Sequence, residues 1–82
     1  MLEIKSLGYK DGRAAITYIA KSKKGSLMCA HLFQSFLIDH FGMEVNIIDV
    51  ADQMPIKVEV TAVFDESGKF GWTWKHPIDN KK

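Results

Sequence analysis

The sequence predicts an α+β fold: a single, mostly antiparallel sheet in the order β-β-α-β-β-β, with one helix packed on one face. Three observations carry this. Residues 56–64 and 70–74 alternate apolar with polar or small side chains, the period of a half-buried strand. Residues 27–41 repeat apolar side chains at helical spacing. Asp11-Gly12 and Ser67-Gly68 punctuate the chain where hairpins need turns. A helix with an apolar stripe and a sheet with an apolar face satisfy each other's need for burial.

The elements follow in order. Leu2-Glu3-Ile4-Lys5 alternates with strand period and leads to Tyr9-Lys10-Asp11-Gly12-Arg13. A two-residue loop at Asp11-Gly12 would pair Ile4 with Ile19. A three-residue loop, Lys10-Asp11-Gly12 with a left-handed Gly12, would pair Ile4 with Tyr18 and Leu2 with Ala20. The second is preferred because it gathers Leu2, Ile4, Ala14, Ile16, Tyr18 and Ala20 on one face. It leaves Leu7, Tyr9 and Ile19 on the other. Lys21-Ser22-Lys23-Lys24-Gly25 reads as a linker, Ser26 as an N-cap, Leu27–Phe41 as the helix and Gly42 as its left-handed stop. Cys29, Ala30, Leu32, Phe33, Phe36, Leu37 and Phe41 fall in one arc. His31, Gln34, Ser35 and Asp39 occupy the opposite arc, together with Leu27, Met28 and Ile38. Glu44–Val50 is rich in β-branched residues and reads as a strand. After a turn at residues 51–55 comes the hairpin. With Glu66-Ser67-Gly68 as its loop, Phe64 pairs with Phe70, Ala62 with Trp72 and Val60 with Trp74, setting large aromatics against smaller partners.

Eighty-two residues make one domain, read as 1–76, with 77–82 as a polar tail expected to fray. At 46% hydrophobic the chain has apolar surface to bury in every segment before that tail, which excludes intrinsic disorder. Cys29 stands alone, so no internal disulfide forms, and a reducing compartment, the cytoplasm, is the expected location. There is no leader-like start and no apolar run near the roughly 20 residues of a membrane span, so no membrane association is expected. Net charge is +1 but segregated. Residues 1–24 carry six basic and two acidic side chains, residues 25–68 one basic and seven acidic, and residues 69–82 four basic and one acidic.

No catalytic or metal motif emerges. Cys29 and His40 share the apolar arc, but eleven residues at 1.5 Å each separate them by roughly 16 Å, too far for a common metal or a nucleophile–base pair. Cys29 and His31 point to different helix faces. Asp39, Glu44, Asp49 and Asp52 lack calcium-loop spacing. Phe70, Trp72 and Trp74 interleaved with Lys75 and His76 have the form of a base-stacking platform, but they share a face with Val60, Ala62 and Phe64 and so belong to the core. Two candidates remain. Leu7, Tyr9, Ile19, Leu27 and Ile38 are apolar side chains left outside the core, and such a patch marks a partner-binding surface. Lys21, Lys23, Lys24 and Lys75 offer an alternative, contacts to nucleic-acid phosphates. The reading is a small non-enzymatic binding or regulatory protein that meets a protein partner or itself, as a homodimer, and uses no cofactor.

Overall fold

A computed structural model describes residues 2–42 and 45–76. Strands β1 (Leu2–Lys10), β2 (Arg13–Ala20), β3 (Glu59–Asp65) and β4 (Phe70–Lys75) form one antiparallel sheet in sequence order. Between β2 and β3 come the long helix α1 (Lys23–Phe41) and the short helix α2 (Ile48–Ala51). The α+β class holds. The tail at 77–82 and the start of the expected strand at Glu44 lie outside the described residues.

The β3–β4 hairpin pairs Phe64 with Phe70, Ala62 with Trp72 and Val60 with Trp74, as the alternation predicts. Its turn is built on Asp65, whose side chain accepts from the Ser67 amide, the Ser67 hydroxyl and the Lys69 amide. β3 starts later than the alternation suggests. Lys57 takes a left-handed φ of 65° and donates its amide to the Ala20 carbonyl, so extended pairing begins only beyond it.

The first hairpin corrects the expectation about its turn. Lys10 pairs with Arg13, leaving a two-residue turn in which Asp11 and Gly12 both have positive φ, 54° and 76°. Yet Ile4 pairs with Tyr18 and Leu2 with Ala20, because the register shifts at Lys5, a one-residue bulge. The bulge inverts the facing of everything between it and the turn. Leu7 pairs with Ile16 and Tyr9 with Ala14, so both lie on the helix-facing side, not on the outer face. Ile19 does lie on the outer face, between Glu3 and Glu59 across the strands, but only 9% of it is exposed. Gly12 serves a second purpose: its carbonyl accepts from the Glu66 amide, and a Cβ there would come within 2.7 Å of the Glu66 carboxyl. The two hairpin turns are thereby clasped together.

Helix α1 begins four residues earlier than expected. Ser22, with extended φ and ψ, is the N-cap and its side chain accepts from the Gly25 amide at 3.2 Å. Ser26 is fully buried inside the first turns, its hydroxyl without a hydrogen-bond partner. Gly42 ends the helix at φ 65°, its amide bonding the Ile38 carbonyl. Cys29, Ala30, Phe33 and Leu37 are buried in one core with Ile16, Tyr18 and Ala20 of β2 and with Val60, Ala62 and Phe64 of β3.

No strand forms over 45–50. The Asn46 side chain accepts from the Ile48 amide and the Gln34 side chain accepts from the Ile47 amide, turning the chain into α2. Val45, Ile47, Ala51 and Met54 are then buried in the core. Burial against the sheet overrides the β-propensity of this segment. Because Ser22 caps the helix and Ser26 leaves a buried hydroxyl unmatched, Ser22→Ala should cost about 1 kcal/mol while Ser26→Ala should cost nothing or stabilise. Chemical denaturation of both variants checks this. A loss confined to Ser26→Ala would contradict the assignment.

Candidate interaction surface

The inner face of the sheet is made of rows that cross all four strands: Ile4, Tyr18, Val60 and Trp74; Leu7, Ile16, Ala62 and Trp72; Tyr9, Ala14, Phe64 and Phe70. α1 lies chiefly over β2, with its flanks against β1 and α2. Leu7 packs against the core. Tyr9 is exposed on one side, yet its ring stacks on His40 at 4.9 Å and meets Phe41 edge-on at 5.4 Å. Phe36 closes on the other side of His40 at 4.3 Å. Tyr9 thus seals the C-terminal end of α1 against the sheet.

The outer face carries Ser6, Thr17, Thr61 and Thr73 in one row and Gly8, Ala15, Val63 and Gly71 in the next. Thr17 and Thr61 hydrogen-bond through their hydroxyls at 3.1 Å. Both rows consist of small, uncharged side chains, and an open concavity of about 660 Å³ lies along β1 beside Ser6, Gly8, Lys10, Arg13 and Ala15.

The apolar surface lies on α1 instead. Leu27, Met28, Leu32 and Ile38 are 41, 56, 43 and 40% exposed. Leu27 and Ile38 stand where the sequence places them, outside the core. Leu32 does not: its arc position predicts burial, but the buried stripe is narrower than the apolar one and leaves Leu32 in water. No Asp, Glu, Lys or Arg occurs between Lys24 and Asp39. A helix with one face in the core should carry charged residues on the other. Here the outward face offers only His31, Gln34 and Ser35 as polar groups over that span.

The apolar residues expected to face outward therefore divide. Leu27, Met28, Leu32 and Ile38 are all exposed along α1, whereas Leu7 and Tyr9 belong to the helix–sheet seam and Ile19 is isolated on the far side. Met28 is outward by angular position as well, and Leu32 could have been found from the absence of charge between residues 24 and 39.

Two of the four candidate lysines make contacts within the fold. Lys23 donates to the Asp52 carbonyl, and Lys75 pairs with Glu59 at 3.8 Å. Glu59 lies on β3 between the end of β2, which leads into Lys21, and Lys75 on β4. A carboxylate thus separates the two basic segments. Among the described residues no group of three or more His, Cys, Asp or Glu comes together, and no helix is long and apolar enough to cross a membrane.

The Cys29 thiol sits within the core. Cys29 borders a void of about 10 Å³ with Tyr18, Phe33, Ile47 and Met54, whose lining is apolar and gives a water too few partners. The Tyr18 hydroxyl donates to the Met54 sulfur at 3.0 Å. Burial pushes the Tyr18 phenol up.

Comparison with known proteins yields no match to any family model, curated protein or solved structure.

Burial pushes the Cys29 thiol up to about 11 from an ordinary value of 9.0. Burying the neutral thiol therefore stabilises the fold fully below pH 9, and that contribution fades as pH rises through about 11. Native protein should resist thiol reagents at neutral pH and label only on unfolding. Rapid labelling of the folded chain at about neutral pH would contradict the buried placement.

Proposed function

We propose that this chain is a small non-enzymatic binding or regulatory protein that acts through protein–protein contacts made by the outward face of α1. One observation carries the reading: Leu27, Met28, Leu32 and Ile38 are exposed along a stretch free of charged residues from Gly25 to Ile38. Apolar side chains grouped on one charge-free face mark an association surface, whereas isolated ones carry no meaning. The rest of the molecule supports the same division of labour. The opposite side of α1 is committed to the core, and the outer sheet face is occupied by hydroxyls and small side chains.

We place the protein in the cytoplasm. Its lone cysteine is buried and reduced, and its stability rests on packing without any disulfide. The phosphate-binding reading of Lys21, Lys23, Lys24 and Lys75 has no observation that favours it over the contacts that Lys23 and Lys75 make within the fold.

A photo-activated cross-linking residue at Met28 tests the surface, with the same residue at Thr73, on the outer sheet face of the edge strand β4, as control. In cells, irradiation should join the Met28 variant to another polypeptide and leave the Thr73 variant at monomer mass. Equal cross-linking at both positions, or none at Met28, would overturn the reading.

A further inference from the structure

Resting on that reading, we propose that the partner is an amphipathic helix of another protein, seated in the corner between α1 and β1 with an acidic end beside Lys24. The position of the corner follows from which flank of α1 faces β1. Met28, Leu32, Phe36 and His40 succeed one another at four-residue spacing, one ridge of the helix. The C-terminal end of this ridge is tied to β1, because His40 stacks on Tyr9 and meets Phe36 on its other side. Its N-terminal end reaches β1 as well: Met28 lines a concavity of about 370 Å³ with Leu2, Ser22, Lys24 and Gly25. The ridge therefore runs alongside β1, and Ile4, on the helix-facing side of that strand, lies between its two ends. Ile4, Met28 and Leu32 are 39, 56 and 43% exposed, and Leu2 is half-buried. Leu27 and Ile38 stand apart from this corner. Both fall within about 40° of Gln34 around the helix, and the Gln34 side chain reaches toward α2, where it accepts from the Ile47 amide.

Shape and charge then select the occupant. α1 lies chiefly over β2, so a second helix packed about 8–10 Å from it rests over the open edge of β1. Leu2 and Ile4 form the floor of that place, and Met28 and Leu32 its wall. An extended strand does not fit there, since the bulge at Lys5 interrupts the ladder that it would continue. The N-terminal end of the corner is positive. Lys24 lines it and Lys21 adjoins Ser22 there; neither makes an ion pair among the described residues, and the first turn of α1 holds no acid. The carboxylates on this side of the molecule lie elsewhere: Glu3 faces the outer side of the sheet and pairs with Lys5, and Asp39 stands seven residues past Leu32, about 10 Å along the axis. A helix with an aliphatic stripe and carboxylates at the end beside Lys24 complements both the apolar corner and its charge.

The probe is a synthetic peptide of about 14 residues, roughly 21 Å of helix, with Leu along one stripe, Ala and Gln elsewhere and a pair of Glu at one end. Fluorescence anisotropy of the labelled peptide reads its binding to the full chain. Wild type should bind with a Kd on the order of 0.01–1 mM, as suits a contact at the small end of specific interfaces. Met28→Gln and Leu32→Gln should each weaken binding roughly tenfold, whereas Leu27→Gln should change it less than about twofold. Lys24→Glu should weaken binding of the Glu peptide and prefer instead a peptide in which the Glu pair is replaced by Lys. A damaged fold would lose both peptides, so the inverted preference reports charge pairing alone. No binding of the Glu peptide to wild type at about 1 mM would sink the proposal, as would equal losses from Leu27→Gln and Leu32→Gln, or a Lys24→Glu variant without the inversion. The cross-link from Met28 tests the underlying reading separately. A joined polypeptide of different mass, with no peptide bound, would leave that reading standing and remove the helix. A product of two chains of this protein would replace the partner with a second copy, and silence at Met28 would remove both.

Discussion

One α-helix cannot cover a four-stranded sheet. The strands are spaced about 4.8 Å apart and a helix with its side chains is about 10 Å across, so α1 spans roughly two of them. It lies over β2 and the flank of β1. The inner face of β3 and β4 needs a second cover, and the segment from Val45 to Val58 supplies it. Val45, Ile47, Ala51, Met54 and Val58 are all buried there, and Val45, Ile47 and Val50 line a cleft with Phe64 and Phe70. The division is incomplete at both margins. Trp74 on β4 and Ile4 on β1 stay partly exposed at the edges of their row, while Tyr18 and Val60 between them are buried. The same limit explains α1. Its contact with the sheet is a narrow stripe, so a helix apolar over more than half its circumference leaves apolar side chains in water.

This constraint also decides what the sequence could disclose. The β3–β4 register was legible because Trp72 and Trp74 can lie only against something smaller, and Ala62 and Val60 are there. The far register of the first hairpin was legible too, since only one pairing puts Ile4, Ile16 and Tyr18 on the same face. The means of reaching it was not. A three-residue loop and a two-residue loop with a bulge at Lys5 give the same pairing beyond residue 4. They give opposite facings for Leu7 and Tyr9, and local pattern does not distinguish them. Residues 45–50 carry strand-forming side chains, but their fate was set by the uncovered half of the sheet, which no local pattern reports. Ser26 has the chemistry of a cap and Lys23-Lys24-Gly25 that of a linker. The first turn forms there nonetheless, because Gly25 and Ser26 are small enough to lie buried.

Leu27 and Ile38 were readable as outward from angle alone, and Met28 and Leu32 complete the surface. The conflict they create is local to one helix: its propensity and its core stripe agree with the fold, whereas its outward composition does not. Disagreements of this kind between levels of organisation are expected at functional or strained sites. Elsewhere the levels agree. The bulge and Lys5 guard the open edge of β1 against further strand pairing, and a backbone hydrogen bond from Glu66 to Gly12 ties the two turns together.

The proposed role of the outward face of α1 is in association, with little part in folding. It is tested most directly by replacing Leu27, Met28, Leu32 and Ile38 together with Gln or Lys and melting the variant beside wild type under dilute conditions. Long polar side chains keep their stems against the helix surface, so each replacement should change stability by about 0.5 kcal/mol or less. The account predicts a cooperative melt with an unchanged circular-dichroism spectrum. Loss of cooperative unfolding would contradict it, by placing those four side chains in the core of the monomer.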